Sequence, residues 1–378
     1  MKKYLHLLLI LIIVVFIGCG KKDDNPVGGD PSNTDIPEDP ASAAPVPVIN
    51  NITPSAPAPA KVPGNPNRIM INLIGVIDPV TEQQINLVAN QSLFVVEDSK
   101  NKGILVSSAG GSTTLNADVV FVVDNSGSMG EEADSIASKI IAFVNYLQAY
   151  GINLKVGCVG YDGSIYGGVN LTDAVTLKNY LNRPYYTGTS RTVGFAGPDS
   201  SVLYNAANNF SYTGGENGIL GICFADTFFS WRSNSARVYI NFTDEGTQPD
   251  YYGYYCNESL KSRWKPEKGT IHTVFSLSSS YWNGAVPDTS SEKENYSDWN
   301  QYYERPWAVS WFSGGTIKFV HSDATDLDLT ALPVTGVLAN SVKVEFLTAD
   351  PNAVHDLEII IKNASTPDGK TTFNNITY

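Results

Sequence analysis

Seven consecutive residues, Asp124-Asn125-Ser126-Gly127-Ser128-Met129-Gly130, follow the apolar run Val119 to Val123. They present one carboxylate and two hydroxyls within five positions. His and Cys are missing from the string. An all-oxygen set suits a hard divalent cation such as Mg²⁺, which takes octahedral geometry and keeps some of its waters. Gly127 and Gly130 let the backbone turn tightly enough for the side chains to converge. The same string also suits a helix start, because Ser and Asp are preferred N-caps. The residues by themselves leave both readings open.

Whatever these groups do, the surrounding elements must hold them. Val119 to Val123 is apolar without alternation, as expected of a parallel strand covered on both faces. Ile136, Ile140, Phe143, Val144 and Leu147 follow at helical spacing. Further strands are predicted at Leu154 to Val159, Val238 to Phe242, Thr270 to Leu277 and Thr316 to Val320. Helices are predicted at Leu203 to Phe210, Gly218 to Phe228 and Glu258 to Trp264. Strands alternating with helices imply an α/β class and a doubly wound sheet. Ligands of such sheets bind beyond the carboxyl ends of the strands, which is where Asp124 falls.

The flanks read differently. Residues 67 to 117 contain short strands at Ile69 to Ile77, Ser92 to Glu97 and Gly103 to Ser107, separated by turn residues. Residues 341 to 378 return to β character at Val342 to Leu347, Leu357 to Ile361 and Thr371 to Tyr378. The economical arrangement pairs the two flanks into one smaller β-sandwich and inserts the α/β domain, residues 118–340, between its strands. A closing helix is expected after Asp326, shortened or kinked by Pro333. Residues 20–66 are rich in Pro, Ala, Asn and Asp and lack apolar periodicity. They predict a disordered tether that reaches roughly 100 Å in polyproline form.

The first 19 residues have the form of an export signal: Lys2 and Lys3, an apolar run from Leu5 to Ile17, then Gly18 and Cys19. Phe16-Ile17-Gly18-Cys19 resembles the lipobox of bacterial lipoproteins, which implies removal of residues before Cys19 and lipidation of its thiol. Several acyl chains would anchor the protein stably to a membrane. Gly20-Lys21-Lys22-Asp23-Asp24 resembles the surface-export signal of some Gram-negative lipoproteins. The resemblance places the protein in the cell envelope, on the outer membrane and facing outward. Export to an oxidising compartment allows a disulfide, and Cys223 with Cys256 is the expected pair, Cys158 being a buried strand residue. Net charge is −13 with only 17% charged residues, and the mature sequence has no Lys/Arg cluster. Nucleic acid is therefore excluded as a partner.

Taken with its strand, helix and following strand, Asp124-x-Ser126-x-Ser128 resembles the metal-ion-dependent adhesion site of von Willebrand factor A-type domains. The resemblance covers the string from Asp118 to Gly160. It implies a Rossmann-like fold in which Ser126 and Ser128 bind the metal directly and Asp124 binds directly or through water. The family's third loop corresponds to Tyr212 to Gly218, where Glu216 at the helix entrance is preferred over Thr213. The family's last Asp corresponds to Asp244, after the strand ending at Thr243. Mg²⁺ is the implied cation, with Mn²⁺ and Ca²⁺ sharing its oxygen ligands. One coordination position is left for an acidic residue of a protein partner. Glu131 and Glu132 stand where integrin β subunits use acidic residues for a second cation, although acidic residues are favoured in any first helical turn.

Aromatic residues crowd the predicted loops: Tyr161, Tyr166, Tyr251 to Tyr255, Tyr281, Trp282, Trp299, Tyr302, Tyr303, Trp307 and Trp311. They suit contact with a partner or sugar, or support of the loops themselves. An enzyme is not expected, since HExxH, GxSxG, Walker A and CxxC are all absent, His6 belongs to the export signal, and His272 and His321 fall in or beside predicted strands. The expected function is metal-dependent protein binding in adhesion or surface assembly. The alternatives are a periplasmic scaffold or assembly factor, and a carbohydrate binder that uses the aromatic loops.

Overall fold

The structure is a computed structural model that describes residues 33–50, 52–78, 81, 83–108, 116–130, 132–149, 152–182, 201–277, 303–363 and 368–378. The chain divides into two units, Met1–Thr34 and Asp35–Tyr378. Of the first, only residues 33 and 34 are described. The export signal, Cys19 and residues 20–24 lie outside the described residues.

The second unit begins with short strands: β1 (Ala60–Val62), β2 (Asn65–Leu73), β3 (Leu93–Glu97), β4 (Lys100–Asn101) and β5 (Ile104–Ser108). Next come β6 (Asn116–Asp124), α1 (Ala133–Ala149), β7 (Asn153–Tyr161), β8 (Ile165–Thr172), α2 (Ala174–Leu181), α3 (Ser201–Asn208) and α4 (Gly218–Phe228). The order continues with β9 (Ala236–Thr243), α5 (Asn257–Arg263), β10 (Thr270–Leu277), α6 (Ala308–Ser313), β11 (Ile317–His321) and α7 (Pro333–Ala339). It closes with β12 (Val342–Leu347), β13 (His355–Ile361) and β14 (Gly369–Ile376).

Six strands form one mixed sheet in the order β11-β10-β9-β6-β7-β8. All neighbours are parallel except β7 with β8. Successive residues of β6 serve opposite faces, as strand geometry requires. Val119, Phe121 and Val123 pack with α1, α2 and α7 residues such as Ile140, Phe143, Leu177 and Val337. Val120 and Val122 pack with Leu203, Ile219, Leu220, Phe224 and Leu260 of α3, α4 and α5. Helices therefore cover both faces, which is why the strand is apolar at every position. The chain runs from β6 outward to β7 and β8, then returns across β6 to β9, so the direction of winding reverses between β6 and β9.

Two four-stranded antiparallel sheets, β1-β2-β12-β5 and β14-β13-β3-β4, complete the unit. One core joins them. It is built from alternate residues: Ile69, Ile71 and Leu73 of β2, Val342, Val344 and Phe346 of β12, Leu93 and Val95 of β3, and Leu357, Ile359 and Ile361 of β13. Strands from before and after the six-stranded sheet thus share one hydrophobic layer.

Part of the Pro-rich stretch is not a free tether. Residues 35–50 and 52–62 lie along these sheets, and the expectation of disorder across 20–66 is corrected for this portion. Arg68 grips Asp35 through two hydrogen bonds at 2.7 and 2.9 Å, and Lys102 pairs with Asp39 at 2.7 Å. The Asp368 carboxylate accepts the backbone amides of Val48, Ile49 and Asn50 at 2.9–3.1 Å and also meets Lys362. Ile52 and Ala56 enter the shared core. The ordering forces come from residues up to 320 positions away, so no local periodicity announces them.

Pro333 also differs from expectation. It occupies the first turn of α7, after a separate 3₁₀ turn at Leu329–Ala331, and so starts the helix where its missing N–H costs nothing.

Candidate metal centre

Asp124 ends β6 with its side chain buried. Its carboxylate is held from two sides. The Ser126 amide donates to Oδ1 at 2.9 Å, and the Thr243 hydroxyl donates to Oδ2 at 2.8 Å. The Ser126 and Ser128 hydroxyl oxygens share a hydrogen bond at 2.9 Å, and Ser128 Oγ donates to Asp244 Oδ1 at 3.1 Å. The Asn125 amide donates to the Tyr161 carbonyl at 2.6 Å, which fixes this loop to the end of β7. A 3₁₀ turn, Ser128–Gly130, then leads into α1.

Glu216 arrives from the entrance of α4. The next residue, Asn217, is the N-cap: its Oδ1 accepts the Leu220 amide at 3.2 Å. Its Nδ2 donates to the carbonyls of Gln248 and Tyr255 at 2.8 and 2.9 Å. The Gln248 amide in turn donates to the Glu216 carbonyl at 2.8 Å. Two glycines bring α4 down onto the sheet. A Cβ at Gly218 would stand 2.6 Å from Asn241 Oδ1, and one at Gly221 would stand 2.6 Å from Val122 Cγ1.

These elements gather Asp124, Glu216 and Asp244 so that one oxygen of each lies within 4.8 Å of the others. Among the described residues this is the one cluster of His, Cys, Asp and Glu side chains close enough to share an ion. Burial, then the charge of Asp244, pushes Asp124 up to about 7. Burial, then the charges of Asp124, Glu245, Asp244 and Asp162, pushes Glu216 up to about 9. Burial also raises Asp244, against the hydrogen bond from Ser128. Glu216 Oε2 is buried and accepts no hydrogen bond among the described residues. Carboxylates crowded together, one oxygen without a donor and two hydroxyls beside them fit a hard divalent cation, which would relieve the repulsion.

Thr213 lies in the same loop as Glu216. Its hydroxyl donates to the carbonyls of Gly215 and Gly163 at 2.8 and 3.3 Å, bracing the loop that carries Glu216. Glu132 is buried, and its Oε1 accepts from Ser276 of β10 at 3.0 Å. Glu131 lies outside the described residues. Sequence reasoning passed over Thr243 and Asn217. Asn217 had a readable signal, an Asn before a helix start, whereas Thr243 becomes important only because β9 lies beside β6.

The aromatic residues separate into two groups. Tyr161 and Trp307 are core residues, with Trp307 packed edge-on against Phe275 and Phe319. Tyr251, Tyr252 and Tyr254 are 95, 77 and 63% exposed, and Tyr212 is 72% exposed. The side chain of Tyr166 and all of Tyr281, Trp282, Trp299 and Tyr302 lie outside the described residues. The expected Cys223–Cys256 disulfide is absent, and both thiols are free. Each sulfur has its own partner: Cys223 Sγ accepts from Arg263 at 3.1 Å, while Cys256 Sγ accepts the Ser259 amide at 3.4 Å as the cap of α5. His272 is buried between Thr270 and Thr316, and His355 binds Asp98 at 2.7 Å in the sandwich, so neither joins the carboxylates.

No family model matches the chain, and no curated protein matches it. Among solved structures it is similar to an aerotolerance-related membrane protein from Bacteroides fragilis carrying multiple mutations to serine. That match has 16% identity, covers 58% of this chain and 99% of that one, and has a TM-score of 0.34. It is also similar to the open conformation of the pilus adhesin SpaC from Lactobacillus rhamnosus GG, at 11% identity, 85% of this chain, 49% of that one and a TM-score of 0.35. At such scores neither likeness bears on fold or function.

Proposed function

We propose that this chain is a cell-envelope protein whose α/β part, an A-type domain, binds a protein ligand through one divalent cation. The observation that carries the reading is the meeting of Asp124, Asp244 and Glu216 at the carboxyl edge of the sheet, where the winding reverses. Asp124, Ser126, Ser128, Glu216 and Asp244 would hold Mg²⁺, with Mn²⁺ or Ca²⁺ as substitutes. A bound cation supplies an electrophilic position for an anionic oxygen, here a carboxylate of the partner. The residues of the chain do the rest. Thr243 aims one oxygen of Asp124, Ser128 orients Asp244, and Asn217 fixes Glu216 against the neighbouring loop. The groups gathered at this edge are carboxylates, hydroxyls and tyrosines, which a cation and a partner surface would both use.

Anchoring through a lipid on Cys19 and exposure on the outer membrane belong to the same proposal. Their support is the sequence of residues 1–24. Among the described residues no helix is long and apolar enough to cross a membrane.

The test is calorimetric titration of Mg²⁺ and Mn²⁺ into the EDTA-stripped full chain, beside a variant carrying Asp124→Ala and Ser126→Ala. One-site saturable binding by the parent and none by the variant is expected. A parent that takes up no cation would reduce the cluster to a capped helix start and sink the reading. A second reading, carbohydrate binding, is favoured by the three exposed tyrosines and predicts glycan binding that survives chelation.

A further inference from the structure

Among the described residues, four loops frame the carboxylate cluster: 124–130, 161–164, 212–217 and 244–256. They contain Asp124, Asp162, Glu216, Asp244, Glu245 and Asp250 and not one Lys, Arg or His. Six carboxylates outnumber the two charges of a divalent cation. Among the described residues, two arginines stand near the loop of residues 244–256 in the structure, Arg263 through Tyr254 and Arg305 through the Glu304–Thr247 bridge of its neighbour. Arg305 is 4% exposed and lies over the Trp307 ring. Arg263 is held by the Tyr254 carbonyl at 3.3 Å and by Cys223 Sγ. Even counting Arg263, the described rim around a bound cation stays negative. A carboxylate reaching that metal meets attraction at the centre and repulsion from the surroundings.

The tyrosine loop lies beside this rim and is stiffly built. Gln248 and Tyr255 are both held by the one Asn217 amide, next to Glu216. Between them the Asp250 carboxylate accepts the amides of Tyr252 and Tyr255 at 3.2 and 2.9 Å, and Gly253 takes a positive φ of 70°. The rings of Tyr251 and Tyr252 stand edge to face at 5.3 Å, and those of Tyr252 and Tyr254 lie 6.1 Å apart. The loop's ends are buried or bonded, yet its three rings face solvent. Aromatic faces attract Lys and Arg side chains, and more strongly when other negative charge is near.

Resting on the metal-site reading above, we propose that the protein partner docks across Tyr251, Tyr252 and Tyr254 with a segment in which Lys or Arg residues flank the carboxylate it offers to the metal. The carboxylate meets the cation, while the flanking cations offset the acidic rim and lie on the tyrosine rings. The charge of the rim selects a basic-flanked segment over an acidic or neutral one.

The test uses three fluorescent nine-residue peptides and the full chain in Mg²⁺. One carries a central Asp flanked by two Lys and two Arg, the second the same Asp flanked by Ser and Gly, and the third the basic flanks around Asn. The basic-flanked Asp peptide should bind at least about tenfold tighter than either control by anisotropy, with the margin shrinking as salt rises. EDTA should abolish the binding. A Tyr251→Ala, Tyr252→Ala, Tyr254→Ala variant should lose about tenfold for the basic-flanked Asp peptide only, while its Mg²⁺ titration matches the parent. Equal binding of the two Asp peptides overturns the proposal. So does metal-independent binding of the basic peptides, full binding by the tyrosine variant, or no peptide binding up to about 1 mM in protein that takes up Mg²⁺. Failure of the Mg²⁺ titration itself marks failure of the metal-site reading instead. Glycan binding that requires the tyrosines while no peptide binds assigns the loop to sugar.

Discussion

Thr243, the last residue of β9, donates its hydroxyl to Asp124, the last residue of the adjacent β6, at 2.8 Å. The bond joins two parallel strands at their rim and fixes how one carboxylate oxygen points. The same hydroxyl oxygen accepts the Glu245 amide at 3.2 Å. Thr243→Val keeps the shape and β-branching of the strand residue but removes both bonds. Mg²⁺ affinity should fall about 10- to 100-fold by calorimetry while the circular dichroism spectrum is unchanged. An unaltered Kd would show that Asp124 is oriented by other means.

Acidity should act on the cation-free protein in an unusual direction. Asp124 and Glu216 titrate at about 7 and about 9 when folded, well above their unfolded values near 4. A group raised on folding adds stability below its unfolded pKa and loses it as pH rises through its folded pKa. EDTA-treated protein should therefore melt at a lower temperature at pH 8 than at pH 5. Asp124→Asn should flatten that slope, and saturating Mg²⁺ should raise the melting temperature more at pH 8 than at pH 5. A slope identical in Asp124→Asn and parent would assign the effect to other groups, His355 among them, since its pKa is also raised through its bond to Asp98.

Close approach of α4 to the sheet depends on Gly221, where a Cβ would press on Val122 at 2.6 Å and on the Tyr161 ring at 3.1 Å. Gly221→Ala should destabilise the protein by about 1–3 kcal/mol through overpacking, despite the better helix propensity of Ala. It should also weaken Mg²⁺ binding, because Glu216 moves with the helix. Chemical denaturation and calorimetry on the same preparation check both effects. A gain in stability would mean that the helix has room to spare.

Alkylation should separate the three thiols of the described residues. Cys223 and Cys256 are partly exposed and free, whereas Cys158 is buried in β7. Iodoacetamide in native buffer should label Cys256 and, more slowly, Cys223, which is largely enclosed and hydrogen-bonded to Arg263. Cys158 should be labelled only after denaturation. Mass spectrometry of unreduced peptides showing Cys223 joined to Cys256 would contradict the structure.

The strands of the six-stranded sheet were readable because burial on both faces demands unbroken apolar runs, as in β6. Strand β8 was not, since Ile165-Tyr166-Gly167-Gly168 carries no such run. Its glycine allows the backbones to close instead, a Cβ at Gly168 falling 2.2 Å from the Cys158 carbonyl oxygen. Helix α2 also went unread, although Asp173 caps it through the Thr176 amide. At the site, the Asp124 string was visible because its ligand-type residues are contiguous. What the sequence could not show for Thr213 and Glu216 is their surroundings: the Thr213 hydroxyl donates to Gly163 and Gly215, whereas Glu216 meets Asp124 and Asp244 across three loops. Exposed and buried tyrosines look alike in sequence, so Tyr161 could not be told from Tyr251. The path of residues 35–50 and 52–62 was illegible for another reason: its partners, Arg68, Lys102 and Asp368, contribute backbone and ionic contacts that leave no hydrophobic pattern.

The pairing of β5 with β12 decides how this molecule carries tension. Ser108, at the end of β5, faces Val342, at the start of β12, so both chain connections to the six-stranded sheet leave from one point on two neighbouring strands. A pull at the rim of that sheet reaches the sandwich along both strands at once and in the same direction. The load then falls lengthwise on the six register pairs between β12 and β2, from Val342–Leu73 to Leu347–Arg68. Hydrogen bonds loaded in this way must yield together rather than one after another. Pulled between that rim and the Asn65 end of β2, the grip would be loaded as a shear clamp and not as a zipper.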